Sequence, residues 1–184
     1  YSTVSNLSYI VLAASLMTQS GLTASLAHML FHALIKITLF FCAGAVMVKT
    51  GRTQIEDLRG LSRVMPFTCA TYTIGAISLM GTPLLPGFVS KWLIGSAAIE
   101  TGTAMGMVGV AAILISAVLT AIYLMGPALS MYFRPLEGME KVVSCDPGWR
   151  MKLPFAVLAV VIVLCGLFSD PIITLLANLS AGVM

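Results

Sequence analysis

The stretch LTASLAHMLFHALIKITLFFCAGAVM, residues 22–47, decides the fold, because it sets three titratable side chains inside a run otherwise fit for lipid. His28, His32 and Lys36 are spaced four apart. On a helix each step of four turns roughly 40° and rises about 6 Å, so the three line one narrow stripe about 12 Å long. A lysine at mid-membrane is unfavourable by about 2.5 to 3.5 kcal/mol on insertion scales, which a purely structural span avoids by using Leu or Ala. The stripe therefore asks for a function, and proton exchange is one that these side chains can perform. An imidazole changes charge near neutral pH, and an ammonium held away from water can release its proton at modest cost. The expected relay runs from His28 and His32, through water, to Lys36.

The rest of the chain has the same character. Its 184 residues are 59% hydrophobic and 9% charged, where a soluble domain carries roughly a quarter charged residues. With a mean hydropathy of +1.01, this composition predicts an all-α, polytopic transmembrane helix bundle and excludes a nucleic-acid binder. The charge is confined. Lys49, Arg52, Glu56, Asp57, Arg59 and Arg63 fall in one window, and Arg134, Glu137, Glu140, Lys141, Asp146, Arg150 and Lys152 in another. Only Lys36, Lys91, Glu100 and Asp170 lie elsewhere. The windows at 49–63 and 134–152 read as extramembrane loops facing anionic head groups or partner subunits. Cys42, Cys69, Cys145 and Cys165 have no metal-ligand spacing, and the three in apolar runs read as small hydrophobes. No signal peptide opens the chain, and Tyr1 is not an initiator, so the sequence reads as cut at its N-terminus.

Taken in order, the chain predicts about six spans. The first covers residues 4–17, with Ser2, Thr3, Ser5 and Asn6 as its cap. Gln19, Ser20 and Gly21 make a turn, and the organising helix runs from Leu22 to Val48, closed by Lys49, Thr50 and Gly51. Ile55, Leu58 and Leu61 recur every third residue, which suits either a short interfacial helix or a solvated loop. A third span covers residues 65–80. The next eight residues, GTPLLPGF at 81–88, predict a discontinuous helix, since each proline removes a backbone donor and clashes with the preceding turn. Lys91 follows at once, in the manner of ion sites built beside broken helices. Snorkelling to an interface beside Trp92 is its plain structural alternative. Glu100 is read as near the surface. An apolar run covers residues 105–133, and a last span covers 153–168, with Asp170 as its polar stop. Six crossings would put the two charged windows on opposite faces, whereas their equal share of basic residues calls for one face.

Other chemistries fit less well. H-x-x-x-H offers two metal ligands on one helix face, yet no third ligand stands on the stripe, and two neighbours on one stripe cannot occupy opposite axial positions of a haem iron. No glycine-rich nucleotide loop or cysteine cluster supports a redox cofactor, so neither a cofactor nor a catalytic site of its own is expected. A structural or assembly subunit that has lost ion transport is the competing reading. Two lysines among apolar helices, with almost no acid in the spans, weigh against it.

The ordered motifs H-A-x-x-K in HMLFHALIKITLFFCAGAV, G-L-x-x-x-M-P in GLSRVMP and P-x-x-G-F-x-S-K in PLLPGFVSKW carry a resemblance. Together they resemble the antiporter-like subunits shared by respiratory complex I, membrane-bound hydrogenases and multi-subunit monovalent cation/proton antiporters. GFVSKW, the alanine-rich run after it and Ile99-Glu100 are most similar to the D-type component of the last group. The resemblance implies that residues 1–184 form a single transmembrane domain, the second half of an inverted-repeat module. It also implies a proton-transfer chain through His28, His32, Lys36 and Lys91, while the essential glutamate and lysines of the family's first half have no counterpart here. It further implies other membrane subunits as partners, protons and Na+ or K+ as transported ions, and a prokaryotic plasma membrane as the location. The driving redox step, where there is one, would then sit on other subunits.

Overall fold

The organising stretch forms the longest helix. A computed structural model describes residues 2–133 and 146–183, so Arg134, Glu137, Glu140, Lys141 and Cys145 lie outside the described residues. α1 (Ser2–Ser15) leads into α2 (Gln19–Thr50), whose 32 residues rise about 48 Å, more than the hydrocarbon thickness of a bilayer. Thr18 caps α2, its hydroxyl accepting from Gly21 N at 3.0 Å, so the expected turn at residues 19–21 is the first turn of the helix. Gly21 is required there, because a Cβ would stand 2.6 Å from Ala13 O of α1. At the other end Gly51 adopts φ 69° and returns its N–H to Met47 O.

The contacts of the other helices fix their register along α2. α3 (Pro66–Met80) follows its C-terminal half, with Gly75 against Leu39, and with Met65 and Cys69 clustered around Val46. α4 (Pro86–Glu100) follows its N-terminal half, where Ser90 meets His28 and Ile94 shares a cluster with Ala24. α3 and α4 are thus two halves of one crossing, laid end to end and antiparallel to α2. The expected break falls between them at residues 81–85.

α5 (Ala104–Phe133) returns parallel to α2, from Gly106 beside Ala98 to Ser130, whose carbonyl accepts from Gly60 N. α6 (Trp149–Leu167) and α7 (Asp170–Ala181) repeat the broken design. Arg150 and Phe155 line a cavity with Phe41 and Val48 near the C-terminal end of α2, while Ser180 hydrogen-bonds Thr23 near its N-terminal end. The two breaks touch, since Gly166 lies against Leu84 O, where a Cβ would approach to 2.2 Å.

This register resolves the expectation of about six spans. α2, α5 and α6 are each long and apolar enough to cross a membrane, α3 and α4 pair end to end, α7 continues the line of α6, and α1 flanks half of α2. It also removes the conflict over charge. Lys49, Arg52, Arg59, Arg63, Arg150 and Lys152 all belong to segments at the end of the bundle where α2 stops and α3 and α6 begin.

The connection at that end is exposed from Thr53 to Asp57 and buried at Gly60 and Leu61. It makes two 3-10 turns, Glu56–Leu58 and Leu61–Arg63, separated by Gly60 at φ 65°. Leu61, Val64 and Met65 are buried against Val46, Cys69 and Met131, while Ile55 is exposed. The N-terminus of α3 finds its cap far away in sequence. The Asp146 carboxylate accepts from Phe67 N, Thr68 N and Thr68 Oγ1, and Lys152 stands 3.7 Å from it. At mid-depth Ile35, Leu39, Leu79, Leu124 and Ile162 make the central core, whereas Phe40, Ile115, Ile122 and Val160 face outward as a lipid-compatible belt.

Candidate functional site

α2 delivers the titratable stripe to the place where the α3–α4 crossing is interrupted. His28 and His32 are both buried, with their rings stacked 5.9 Å apart at 15°. The Tyr9 ring of α1 meets His28 edge-on at 5.5 Å. His28 Nδ1 lies 2.9 Å from Ser90 Oγ. With the Ser90 hydroxyl donating to Gly87 O, its oxygen accepts from Nδ1–H and leaves Nε2 as the acceptor nitrogen. That Nε2 and both ring nitrogens of His32 have no protein partner among the described residues.

Lys91 lies within electrostatic reach of both imidazoles. Its ammonium donates to Leu79 O and Met80 O, each at 2.9 Å. These are last-turn carbonyls of α3, which Gly81 and the prolines prevent from finding a continuing helix, and the negative end of a helix dipole suits a cation. Lys91 is 8% exposed, so it does not snorkel to an interface. Trp92 beside it is largely exposed and stacks on Phe88. Gly87 makes the joint possible, since a Cβ would stand 1.8 Å from Ser78 O.

Lys36 points elsewhere. Half-buried, it donates to Ser2 Oγ at 2.9 Å, and Ser2 Oγ lies 2.6 Å from Tyr123 OH of α5. Tyr123 in turn lines a cavity of about 310 Å³ that extends to Arg52 and Gln54 at the basic end of the bundle. The structure therefore brings His28, His32 and Lys91 together around the break and places Lys36 on a separate arm. His32 lies within electrostatic reach of both lysines.

Sequence reasoning missed several neighbours. Ser2 is an acceptor for Lys36 rather than only part of a cap, and Tyr123 completes that arm. Asn6 and Tyr9 are buried on the same face of α1 as Ser2, a spacing of three to four that was legible as a polar stripe. Glu100 lies at the far end, exposed, and accepts from Ser20 Oγ at 2.7 Å.

Comparisons with known proteins bear on the family and the fold. Residues 1–120 match the family described as NADH:quinone oxidoreductase/Mrp antiporter, TM. The chain is 34% identical to NADH-quinone oxidoreductase subunit N of Desulforudis audaxviator, over 95% of its own length and 36% of that protein. It is 33% identical to F(420)H(2) dehydrogenase subunit N of Methanosarcina mazei, with the same 95% and 36% coverage. It thus spans about a third of the curated relatives it matches. In fold it is similar to a chain of the Mrp complex from a Dietzia species, with TM-score 0.86 at 22% identity over 98% of this chain and 41% of that one. It is also similar to a chain of an archaeal respiratory membrane complex, the membrane-bound sulfane sulfur reductase, with TM-score 0.78 at 32% identity over 89% and 32%. These relatives come from several complexes and do not single out the D-type component of the antiporters.

Proposed function

Because the chain belongs to the NADH:quinone oxidoreductase/Mrp antiporter transmembrane family, we propose that it forms part of an antiporter-like subunit through which protons cross the membrane. His28, His32, Lys36 and Lys91 carry the transfer. The observation that supports this reading is the pair of stacked, buried imidazoles with three of four ring nitrogens unpartnered by protein among the described residues, with His32 within electrostatic reach of both lysines. Buried nitrogens of this kind call for water, and a file of water between bases is a proton conductor. A proton leaving the Lys91 ammonium passes through water to a free imidazole nitrogen. It leaves from the other histidine and reaches Lys36. From there the Ser2 and Tyr123 hydroxyls, each able to accept one proton while giving another, lead to the cavity at the basic end. Charging one lysine disfavours charge on a near neighbour, which couples successive transfers.

The charged segments at 49–63 and 134–152 are extramembrane in this reading, and the positive-inside rule makes their face cytoplasmic. Partner membrane subunits supply the remainder of the route and the driving reaction, with a monovalent cation exchanged where the complex is an antiporter. One observation favours a structural role as well: Lys91 also caps α3. The test is proton flux through the intact assembly in proteoliposomes, followed with a pH-sensitive dye, for Lys36→Ala and Lys91→Ala. Assembly retained with flux lost supports the relay. Wild-type flux in both variants removes it and leaves a structural subunit.

A further inference from the structure

A second site lies away from the relay, where α2 and α6 diverge at the basic end. A cavity of about 320 Å³ opens between them, lined by Phe41, Gly44, Val48, Met151, Pro154 and Phe155 with Arg150 at its rim. Its floor is bare at Gly44, where an added Cβ would meet nothing within 4 Å. Phe41, Ala45 and Lys49 follow at steps of four on α2, so Lys49 stands one turn above the groove on the same face. Trp149, exposed in the first turn of α6, is the residue type that marks the level of the head groups. Arg150 is next to it. Both Lys49 and Arg150 are exposed, and neither has an ion pair or hydrogen-bonding side-chain partner among the described residues.

We propose that this groove holds one anionic glycerophospholipid of the leaflet at the basic end. An acyl chain lies over Gly44 between Phe41 and Pro154, and the phosphate is held by Arg150 and Lys49. The charge pattern favours a lipid: two exposed cations at head-group level, directly above an apolar slot, match an anionic head joined to a hydrocarbon tail. A polypeptide occupant would have to bring carboxylates to that same level.

The test is native mass spectrometry of the purified intact assembly with phosphatidylglycerol and phosphatidylcholine of identical chains. Each basic residue near an anionic lipid is worth about fivefold, so two of them predict a preference for phosphatidylglycerol of roughly 25-fold. Lys49→Gln with Arg150→Gln should reduce that to near parity while both lipids still bind. Gly44→Leu puts a side chain into the groove from a position where an added Cβ meets nothing within 4 Å, and should remove both adducts with the assembly intact. Equal retention of the two lipids by the wild type, or adducts unchanged in these variants, would overturn the proposal. A photoactivatable amino acid at position 44 that captures a polypeptide instead of lipid would also overturn it.

Discussion

The two broken crossings invite comparison, because they run side by side, antiparallel to α2, and touch at their breaks, yet only one presents a charge to the interior. Between α3 and α4, Gly81 at φ 100° and Leu84 at φ 71° turn the chain, Gly87 lets α4 start against Ser78 O, and Lys91 folds back onto Leu79 O and Met80 O. Between α6 and α7 the interruption is only Phe168 and Ser169. Phe168 N still bonds Leu164 O, and Asp170 is exposed in the first turn of α7. A break frees carbonyls in either case, as helix ends must. Only at the α3–α4 break does a cation stand one turn downstream, within reach of those carbonyls.

The largest expected effect therefore comes from Lys91. Lys91→Ala should lower proton flux by about a hundredfold, the low end of what a positioned proton-transfer group contributes. The same change leaves two carbonyls unpaired, at about 1 to 3 kcal/mol each, so thermal stability of the purified assembly should fall too. Lys91→Arg separates the two effects. Arginine restores donors to Leu79 O and Met80 O but does not deprotonate in proteins, so stability should recover while flux stays low. If Lys91→Arg restored both, the lysine would be a cap and nothing more.

Next come the glycines that let the breaks close. Gly87→Ala drives a Cβ to 1.8 Å from Ser78 O, and Gly166→Ala drives one to 2.2 Å from Leu84 O. Each should destabilise by about 1 to 3 kcal/mol through overpacking, read as a lower melting temperature. Only Gly87→Ala displaces the start of the helix that carries Ser90 and Lys91, so it should also reduce flux more than Gly166→Ala. Gly95→Ala, on α4 with open space around it, is the control, and should be neutral or stabilising by roughly 0.5 to 1 kcal/mol. Equal flux in the two packed variants would show that the joint geometry does not govern transfer.

How far the sequence carries depends on the range of the signal. The stacking of His28 on His32 and the end of α2 at Gly51 are set by helical period and local capping, and both were legible, as was the break in GTPLLPGF, whereas the turn of Lys36 toward Ser2 was not. Register was not. Hydropathy marks α3 and α4 as two apolar helices and says nothing of whether they lie side by side or end to end. The Asp146 cap on Phe67 and Thr68 joins residues 78 and 79 positions apart, beyond any local rule. Ser2 looked like an ordinary cap residue for the same reason, since Lys36 reaches it only after α1 folds back on α2.

Ser90 offers a finer test on the α3–α4 break. Its hydroxyl joins His28 Nδ1 to Gly87 O, tying the stripe on α2 to the first turn of α4. Removing one net hydrogen bond is worth about 0.5 to 1.5 kcal/mol, so Ser90→Ala should lower flux roughly two- to tenfold with assembly unaffected. Ser90→Thr, which keeps the hydroxyl, should restore most of it. Equal loss in both variants would mean that Ser90 matters for volume in a tightly packed spot and not for orienting the imidazole.

Asp170 should give the smallest effect, and it sharpens the contrast from the other side. Its carboxylate is exposed and sits in the first turn of α7, where a negative charge favours the helix by about 0.3 to 1 kcal/mol. Asp170→Asn should therefore shift the melting temperature slightly downward and leave flux at the wild-type level. A large loss of flux would show that the α6–α7 break carries charge during transport after all. The rule drawn from the two breaks, that interruption without a cation facing the freed carbonyls does no transport chemistry, would then fail.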